Sequence, residues 1–264
     1  MKKAFWLCIS LFLALDMGII AQTSKPLTDE QLLELYKGLR VADVSDGMDM
    51  VGLRDAGILD QRIEALWKDT ENFTHRICGI AVTARYVPTN KVVKNPMTSE
   101  EFRKWESDWY NTLSPEPWTD NIKPGSIVVL DVEGDGDTGS VGSANSLVYI
   151  KKGARGIVCS GGVRDIDEII LERIPVYLDW SQRGRGIRPG RNELESFNKP
   201  VTVGGVLIRP GDMIVADGDG VVCVPREYAE DVAAGAKRIL DGDKNARKGL
   251  YLELGREPDK TVLP

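Results

Sequence analysis

Hydrophobic and polar positions alternate along this chain in two periods, and the change between them marks the elements. "TDEQLLELYKGL" places Leu32, Leu35, Tyr36 and Leu39 on one stripe at helical spacing,. Thr28 and Gln31 stand at capping-box spacing and predict the start of that helix,. "VADVSDGMDMVG" predicts a second short helix with Val44, Met48 and Val51 on one face,. "RICGIAVTARYV" is β-branched and alternating, and reads as a strand,. "PGSIVVLD" predicts a buried strand, followed by a Gly/Asp loop. "SANSLVYIKKGARG" then predicts a helix with Ser143 as N-cap, Leu147 and Ile150 as apolar positions, and Gly153 at its C-terminal turn,. "GIVCS" is the next strand, a helix follows from Asp165, and "IPVYLDW" is a strand after it. Strand, loop, helix, strand is a βαβ unit, so the fold class is α/β. The last third changes to short strands joined by Gly turns, with a closing helix at "REYAEDVAAGAKRILDGD".

Two segments stand outside this pattern. Residues 1–21 have a basic start (Lys2, Lys3), a short apolar stretch interrupted by Asp16, and small residues up to Ala21. This predicts a cleaved secretory signal, export to the periplasm or cell exterior, and no stable membrane insertion after cleavage. Residues 22–264 then form one domain. Residues 88–121 interrupt that domain with three tryptophans, and predict a packed insertion containing a helix at about Ser99–Tyr110; a lid over a pocket is the functional alternative,.

Composition narrows the chemistry. Loss of residues 1–21 moves the net charge from −6 to −7, and no basic cluster remains, which argues against nucleic acid as a partner,. Cys78, Cys159 and Cys223 each lie in apolar runs at spacings that match no zinc motif, so they read as small buried hydrophobes,. His75 is the only histidine. A His-rich zinc site and a Ser–His–Asp triad are thereby disfavoured, and acid–base work falls to carboxylates, Tyr, Lys or metal-bound water.

Ligands of a βαβ unit bind at the carboxyl ends of its strands. Two segments meet there. The helix start at Gly142, Ser143, Ala144 and Asn145 offers backbone N–H groups suited to a carboxylate or phosphate,. The turn "GGVRD" offers Arg164, which can grip an anion, and Asp165, which can hold a hard divalent cation,. Together they suit an α-keto acid, with Arg164 stabilising a developing enolate. Other acids have plainer readings. "DVEGDGDTG" has Asp131, Glu133, Asp135 and Asp137 alternating, but Gly142 stands where a calcium loop needs its closing Glu,. Asp217 and Asp219 fit a hairpin turn, Asp167 and Glu168 fit a helix's first turn, and Asp46 is either a helix-start acid or a group facing the site,.

The segments "VSDGMDMVGL", "GSANSLVYIKKGARGIVCSGGVRDIDEI" and "PVTVGGVLIRPGDMIVADGDGVVCVP" resemble the RraA-like family. That family includes class II 4-hydroxy-4-methyl-2-oxoglutarate/4-carboxy-4-hydroxy-2-oxoadipate aldolases and regulators of ribonuclease E activity. The resemblance implies a compact α/β sandwich of the swivelling β/β/α type, a homotrimer, and sites near subunit interfaces. It further implies a lyase acting on a small α-keto acid, by retro-aldol cleavage or oxaloacetate-type decarboxylation, with Mg²⁺ or Mn²⁺ held by Asp165 and substrate oriented by Arg164. The aldolase branch carries an Asp or Glu, twenty residues, then Arg–Asp; here the count back from Arg164 lands on Ser143. The regulators generally lack the Asp of the pair, so Asp165 points away from them. A non-catalytic binding protein on the same scaffold is the alternative.

Overall fold

The computed structural model describes residues 27–132 and 134–263. The segment read as a secretory signal lies outside the described residues, as does Glu133. A mixed sheet organises the rest. Four strands run parallel in the order β5 (Val176–Asp179), β4 (Ala154–Cys159), β3 (Ser126–Asp131), β2 (Ile77–Pro88). β3 is buried at every position and β4 at nearly every one, as parallel strands covered on both faces require,.

Antiparallel strands extend the sheet at both ends. β1 (Ile63–Ala65) pairs with β5. β9 (Met213–Asp217) pairs with the first half of β2, β6 (Asn192–Phe197) pairs with its second half, and β10 (Gly220–Val224) pairs with β9. The chain just before β1 returns to β10: Ile58 bridges Val222, and the Leu59 N–H donates to the Val221 carbonyl at 3.1 Å. The sheet is thereby nearly closed, and few backbone groups are left on a bare edge. The β7–β8 hairpin (Val201–Val203 and Val206–Ile208) is a separate small ladder.

Three apolar cores fill the space around this sheet. One holds α4 (Ser143–Lys152) and α5 (Ile166–Leu171) against β3 and β4 through Tyr149, Ile169, Leu130 and Ile157, and includes Trp118 of the insertion. The second lies under the β7–β8 hairpin. The third packs α1 (Asp29–Leu35), α2 (Val41–Met50) and α6 (Ala229–Glu253) on β9 and β10.

Most predicted elements form where the pattern placed them. Thr28 and Gln31 make the capping box of α1. α2 buries Val44 and Met48. Asp217 accepts from the Asp219 N–H at 2.9 Å inside the β9–β10 turn. The insertion is packed rather than draped: α3 (Ser99–Thr112) carries a full capping box from Thr98 and Glu101, and both Trp109 and Trp118 are buried. Four positions differ. Leu35 and Leu147, assigned to apolar stripes, are 41% and 47% exposed, because α1 and α4 each meet the core along a narrower arc that Leu32, Tyr36 and Tyr149 fill. Ser143 is the first helical residue of α4 and not its cap; Gly142, with an extended backbone, holds the cap position. Cys78 is only partly buried, against an Arg155 guanidinium.

Candidate active site at the carboxyl ends of the parallel strands

Three segments leave the carboxyl ends of β3, β4 and β5 and stitch to one another by backbone. The Val141 N–H donates to the Gly162 carbonyl at 2.8 Å and the Arg164 N–H returns to Val141 at 2.9 Å. Gly162, at φ +67°, makes this turn possible, and its own N–H reaches the Gln182 carbonyl at 2.9 Å,. The Gly186 N–H donates to Asp137, and Gly139 donates back to Gly186. The post-β3 loop is therefore sandwiched between the "GGVRD" turn and a strap after β5.

Arg164 and Asp165 sit on a glycine platform built by this ladder. A Cβ at Gly139 would fall 2.5 Å from Arg164 Cδ, and one at Gly142 would fall 2.7 Å from Asp165 Oδ2. Asp165 takes a left-handed backbone, φ 56° and ψ 43°, at the start of α5. Such a conformation costs a non-glycine residue about 1–2 kcal/mol, least for Asn and Asp. Asp165 Oδ2 accepts from the Ser143 N–H at 3.2 Å and its hydroxyl at 3.4 Å; Oδ1 lies 3.8 Å from Arg164 Nε. Both side chains remain more than one-third exposed. They open on a cleft of about 620 Å³ whose wall is completed by Trp180, Ser181, Arg183 and Arg185. Arg183 stacks over the Trp180 ring at 5.2 Å, and Arg185 pairs with Asp137 at 3.1 Å.

The predicted groups thus come together, with one change of role. The Ser143 N–H of the expected anion cradle is occupied by Asp165 itself, and the Asp165 carboxylate completes the α4 terminus from outside,. Gly142 contributes room for that carboxylate. The Asn145 side chain turns away to Glu116 at 2.9 Å; the Ser146 N–H already belongs to the helix, bonded to the Gly142 carbonyl. Asp46 is exposed on α2, on the far side of the molecule's third core, and does not line the cleft. Asp167 and Glu168 are exposed first-turn acids of α5. His75 is buried, with Nδ1 accepting from the Asp69 N–H at 3.0 Å.

A charged network that the sequence reading did not single out stands behind the cleft. Arg188 is 2% exposed. Its guanidinium donates to Ser140 O at 3.0 Å, to Tyr86 Oη and Ser114 O at 3.2 Å, and to Glu116 Oε1. Glu116 Oε1 also accepts from Tyr149 Oη at 2.7 Å. Burial works against the charge on Arg188, but Tyr86, Glu116 and Tyr149 more than offset it and its pKa moves up. The run "RGRGIRPGR" is the visible trace of this strap in the sequence.

Asp135 buttresses the same loop. It is 8% exposed, and Oδ2 accepts from Asn192 Nδ2 at 2.7 Å and Ser140 Oγ at 3.0 Å. Burial outweighs these bonds and pushes its carboxyl from 3.8 up to about 6. Below about pH 4 the group is protonated folded or unfolded and costs nothing. Between 4 and 6 the folded state holds the proton more tightly, so stability falls as pH rises; above about 6 the full cost, roughly 3 kcal/mol, is present. Asp135→Asn is expected to raise the unfolding free energy by about 1–3 kcal/mol at pH 8 and to give no gain at pH 4. Urea melts at the two pH values check this; an equal effect at both would contradict it.

A family model described as Aldolase/RraA matches residues 41–223. The chain belongs to the RraA-like family. A Halalkalibacterium halodurans relative named "Putative 4-hydroxy-4-methyl-2-oxoglutarate aldolase" is 33% identical over 128 residues, which span 48% of this chain and 59% of that protein. An Arabidopsis thaliana relative with the same name, numbered 3, is 35% identical over 40% of this chain and 61% of its own. The chain therefore spans about three-fifths of the length of these two relatives. Among solved structures, one from a set described as novel cellulases from microbes associated with the gut ecosystem is 26% identical with TM-score 0.67, covering 86% of this chain and 91% of that one. Streptomyces coelicolor RraAS2, described as an unusual member of the RNase ES inhibitor RraA protein family, superposes with TM-score 0.65 over 85% of this chain and 99% of its own. At 22% identity that likeness shows the shared fold.

Proposed function

We propose that the chain is a lyase for small α-keto acids, cleaving a C–C bond next to a pyruvate unit by retro-aldol cleavage or by decarboxylation of an oxaloacetate-type acid. The observation that carries the reading is the Arg164–Asp165 pair on its glycine platform, both side chains opening on one cleft. Arg164 presents a planar cation where substrate negative charge develops, and acts as the group that orients the keto acid and stabilises the enolate oxygen. Arg183 adds positive charge to the same wall, which draws an anion in, whereas the charge of Arg185 is matched by Asp137,.

A divalent cation fits this site in one way. Among the described residues no three His, Cys, Asp or Glu side chains gather as a ligand set. Among the described residues Asp165 Oδ1 has no hydrogen-bond donor of its own, and the side chain lines the cleft. Mg²⁺ is commonly held by one or two carboxylates with water and substrate completing its shell. The residues thus suit Mg²⁺ or Mn²⁺ held by Asp165 with water and the keto acid, and not a cation caged by protein alone. Bound there, the cation supplies Lewis-acid polarisation of the keto group. Ser143, in place of the family's acid, keeps Asp165 oriented through its N–H and hydroxyl.

The glycosidase chemistry suggested by the description of the gut-microbe structure has less support. Glycoside hydrolysis uses two carboxylates facing each other across the bond, and among the described residues Asp165 is the one carboxylate lining this cleft. A non-catalytic binding protein is the second reading, favoured by Ser143 at the acid position. The separating test is pyruvate release from oxaloacetate and from 4-hydroxy-4-methyl-2-oxoglutarate, with Mg²⁺ and with EDTA. Binding without any pyruvate release would establish the second reading. The same family membership leads us to propose a homotrimer; light scattering at micromolar concentration that reads one chain mass would refute it.

A further inference from the structure

The three arginines lining the cleft differ in how their charge is met. Arg164 Nε has Asp165 Oδ1 at 3.8 Å, and Arg185 has Asp137 at 3.1 Å. Among the described residues, the Arg183 guanidinium has no acid partner and no hydrogen bond; it stacks on the Trp180 ring, 5.2 Å from the centroid, and both side chains line the cleft. A guanidinium held by its face keeps its N–H donors free, because they lie in its plane. The base of this side chain is fixed on both sides. The Gln182 carbonyl accepts from the Gly162 N–H at 2.9 Å, and a Cβ at Gly161 would fall 2.6 Å from Gln182 Cβ. Gly184 is buried directly against Thr138 O, where a Cβ has no room. Trp180 packs on the first core, in a turn where Asp179 Oδ1 accepts from the Ser181 N–H at 2.8 Å. The Trp180–Arg183 shelf is therefore mounted on the same two segments, the post-β3 loop and the "GGVRD" turn, that position Arg164. At about 620 Å³ the cleft is in the range that takes a ligand well beyond pyruvate in size,.

We propose that Arg183, seated on Trp180, is the specificity-determining residue of the cleft: it grips a carboxylate on the departing side of the breaking bond and selects 4-hydroxy-2-oxo diacids over monoacids of the same length. This role presupposes the keto-acid lyase reading and turns a residue that otherwise only adds charge to the wall into the one that chooses the substrate. In 4-hydroxy-2-oxoglutarate the C3–C4 bond breaks and its electron pair stays with the enolate at Arg164. C4 becomes the aldehyde carbon of glyoxylate as its hydroxyl proton passes to water, and the enolate carbon takes one proton from water to give pyruvate. The carboxylate that leaves with glyoxylate is the group Arg183 holds, edge-on, through its free N–H donors. In 4-hydroxy-2-oxopentanoate a methyl group stands at that place and acetaldehyde departs, so the guanidinium finds no partner. A site built to bond a polar group discriminates strongly against the analogue that lacks it.

The test measures kcat and KM for pyruvate release from these two substrates, with MgCl₂, in the full chain. Wild type is expected to favour the diacid by about 10²-fold in kcat/KM, the factor that one hydrogen-bonded charge pair supplies. Arg183→Gln should bring that preference to within about threefold of unity, chiefly by raising KM for the diacid, because a contact made equally in ground and transition states is lost from binding. Arg183→Lys keeps the charge without the planar fork and should retain only part of the preference. The melting temperature should hold in both variants, since the side chain is exposed and bonds nothing in the fold. A purely structural Arg183 would lower the rates on both substrates together and leave their ratio in place. An unchanged ratio in Arg183→Gln, or a wild type that handles both substrates equally, overturns the proposal while leaving the lyase reading intact. A wild type that releases pyruvate from neither substrate nor from oxaloacetate overturns both.

Discussion

Asp165→Asn will lose about 10²–10³ of pyruvate-forming turnover while melting close to wild type. The amide keeps the shape of the carboxylate, and its oxygen can still accept from the Ser143 N–H that Asp165 Oδ2 satisfies. Asn also tolerates the left-handed backbone at this position, φ 56°,. What it removes is the negative charge and the hard anionic ligand, and an amide oxygen is a poorer partner for a divalent cation. Asp165→Ala will lose as much activity and will also lose stability. It strips the acceptor from the α4 terminus, worth about 1 kcal/mol, and places a β-carbon with no compensating polar group in a left-handed residue. The two variants together separate the chemical role of the carboxylate from its structural one. Arg164→Lys is the third arm: a point charge cannot reproduce the planar fork, and activity should fall by a similar factor. Pyruvate release coupled to a reporter, beside a thermal melt of each variant, reads all three. Full turnover in Asp165→Asn would reduce the pair to a loop ion pair.

The sequence pattern carried the elements further than it carried the site. The capping box at Thr28 and the apolar runs of β3 and β4 are local signals, and each appears in place because local backbone geometry and burial agree there,. The Arg164–Asp165 pair was legible for the same reason: a buried strand ending in two glycines leaves the next side chains at its carboxyl end. The partners of that pair were not. Ser143 reads as an N-cap by residue type, yet the acceptor at the α4 terminus is a carboxylate 22 residues away that only the strand pairing brings near. Leu147 fits a helical stripe by spacing, but spacing does not say how wide an arc the sheet covers. Arg188 and Glu116 lie on a strap and an insertion whose types suggest surface. Their placement depends on α3 docking against residues 186–194, a contact between distant segments that no period records.

Arg188 is the place where that long-range docking can be weighed. Arg188→Met is expected to destabilise the protein by about 3–5 kcal/mol, the cost of leaving one member of a buried ion pair uncompensated. Methionine fills much of the stem's volume, so the loss reads charge and hydrogen bonds more than a cavity. Glu116 would then keep its anion among Asn145, Tyr149 and the apolar core with no cation beside it. Ser140 O, Ser114 O and Tyr86 Oη would each lose a donor,. Pairing the change with Glu116→Gln removes the orphaned charge. The double variant should recover about 1–3 kcal/mol relative to the sum of the single effects, since residues of one network couple by that much. Urea unfolding of wild type, both singles and the double closes the cycle. Additive losses would show that the two charges do not act as a pair, and the strap would then be held by its other contacts, among them the Trp109 Nε1 bond to Asn192 O and the Asn192 bond to Asp135. If the coupling is present, the insertion and the strap lining the Arg164 cleft are one mechanical unit, and Arg188→Met should weaken substrate affinity without touching a group that lines the cleft.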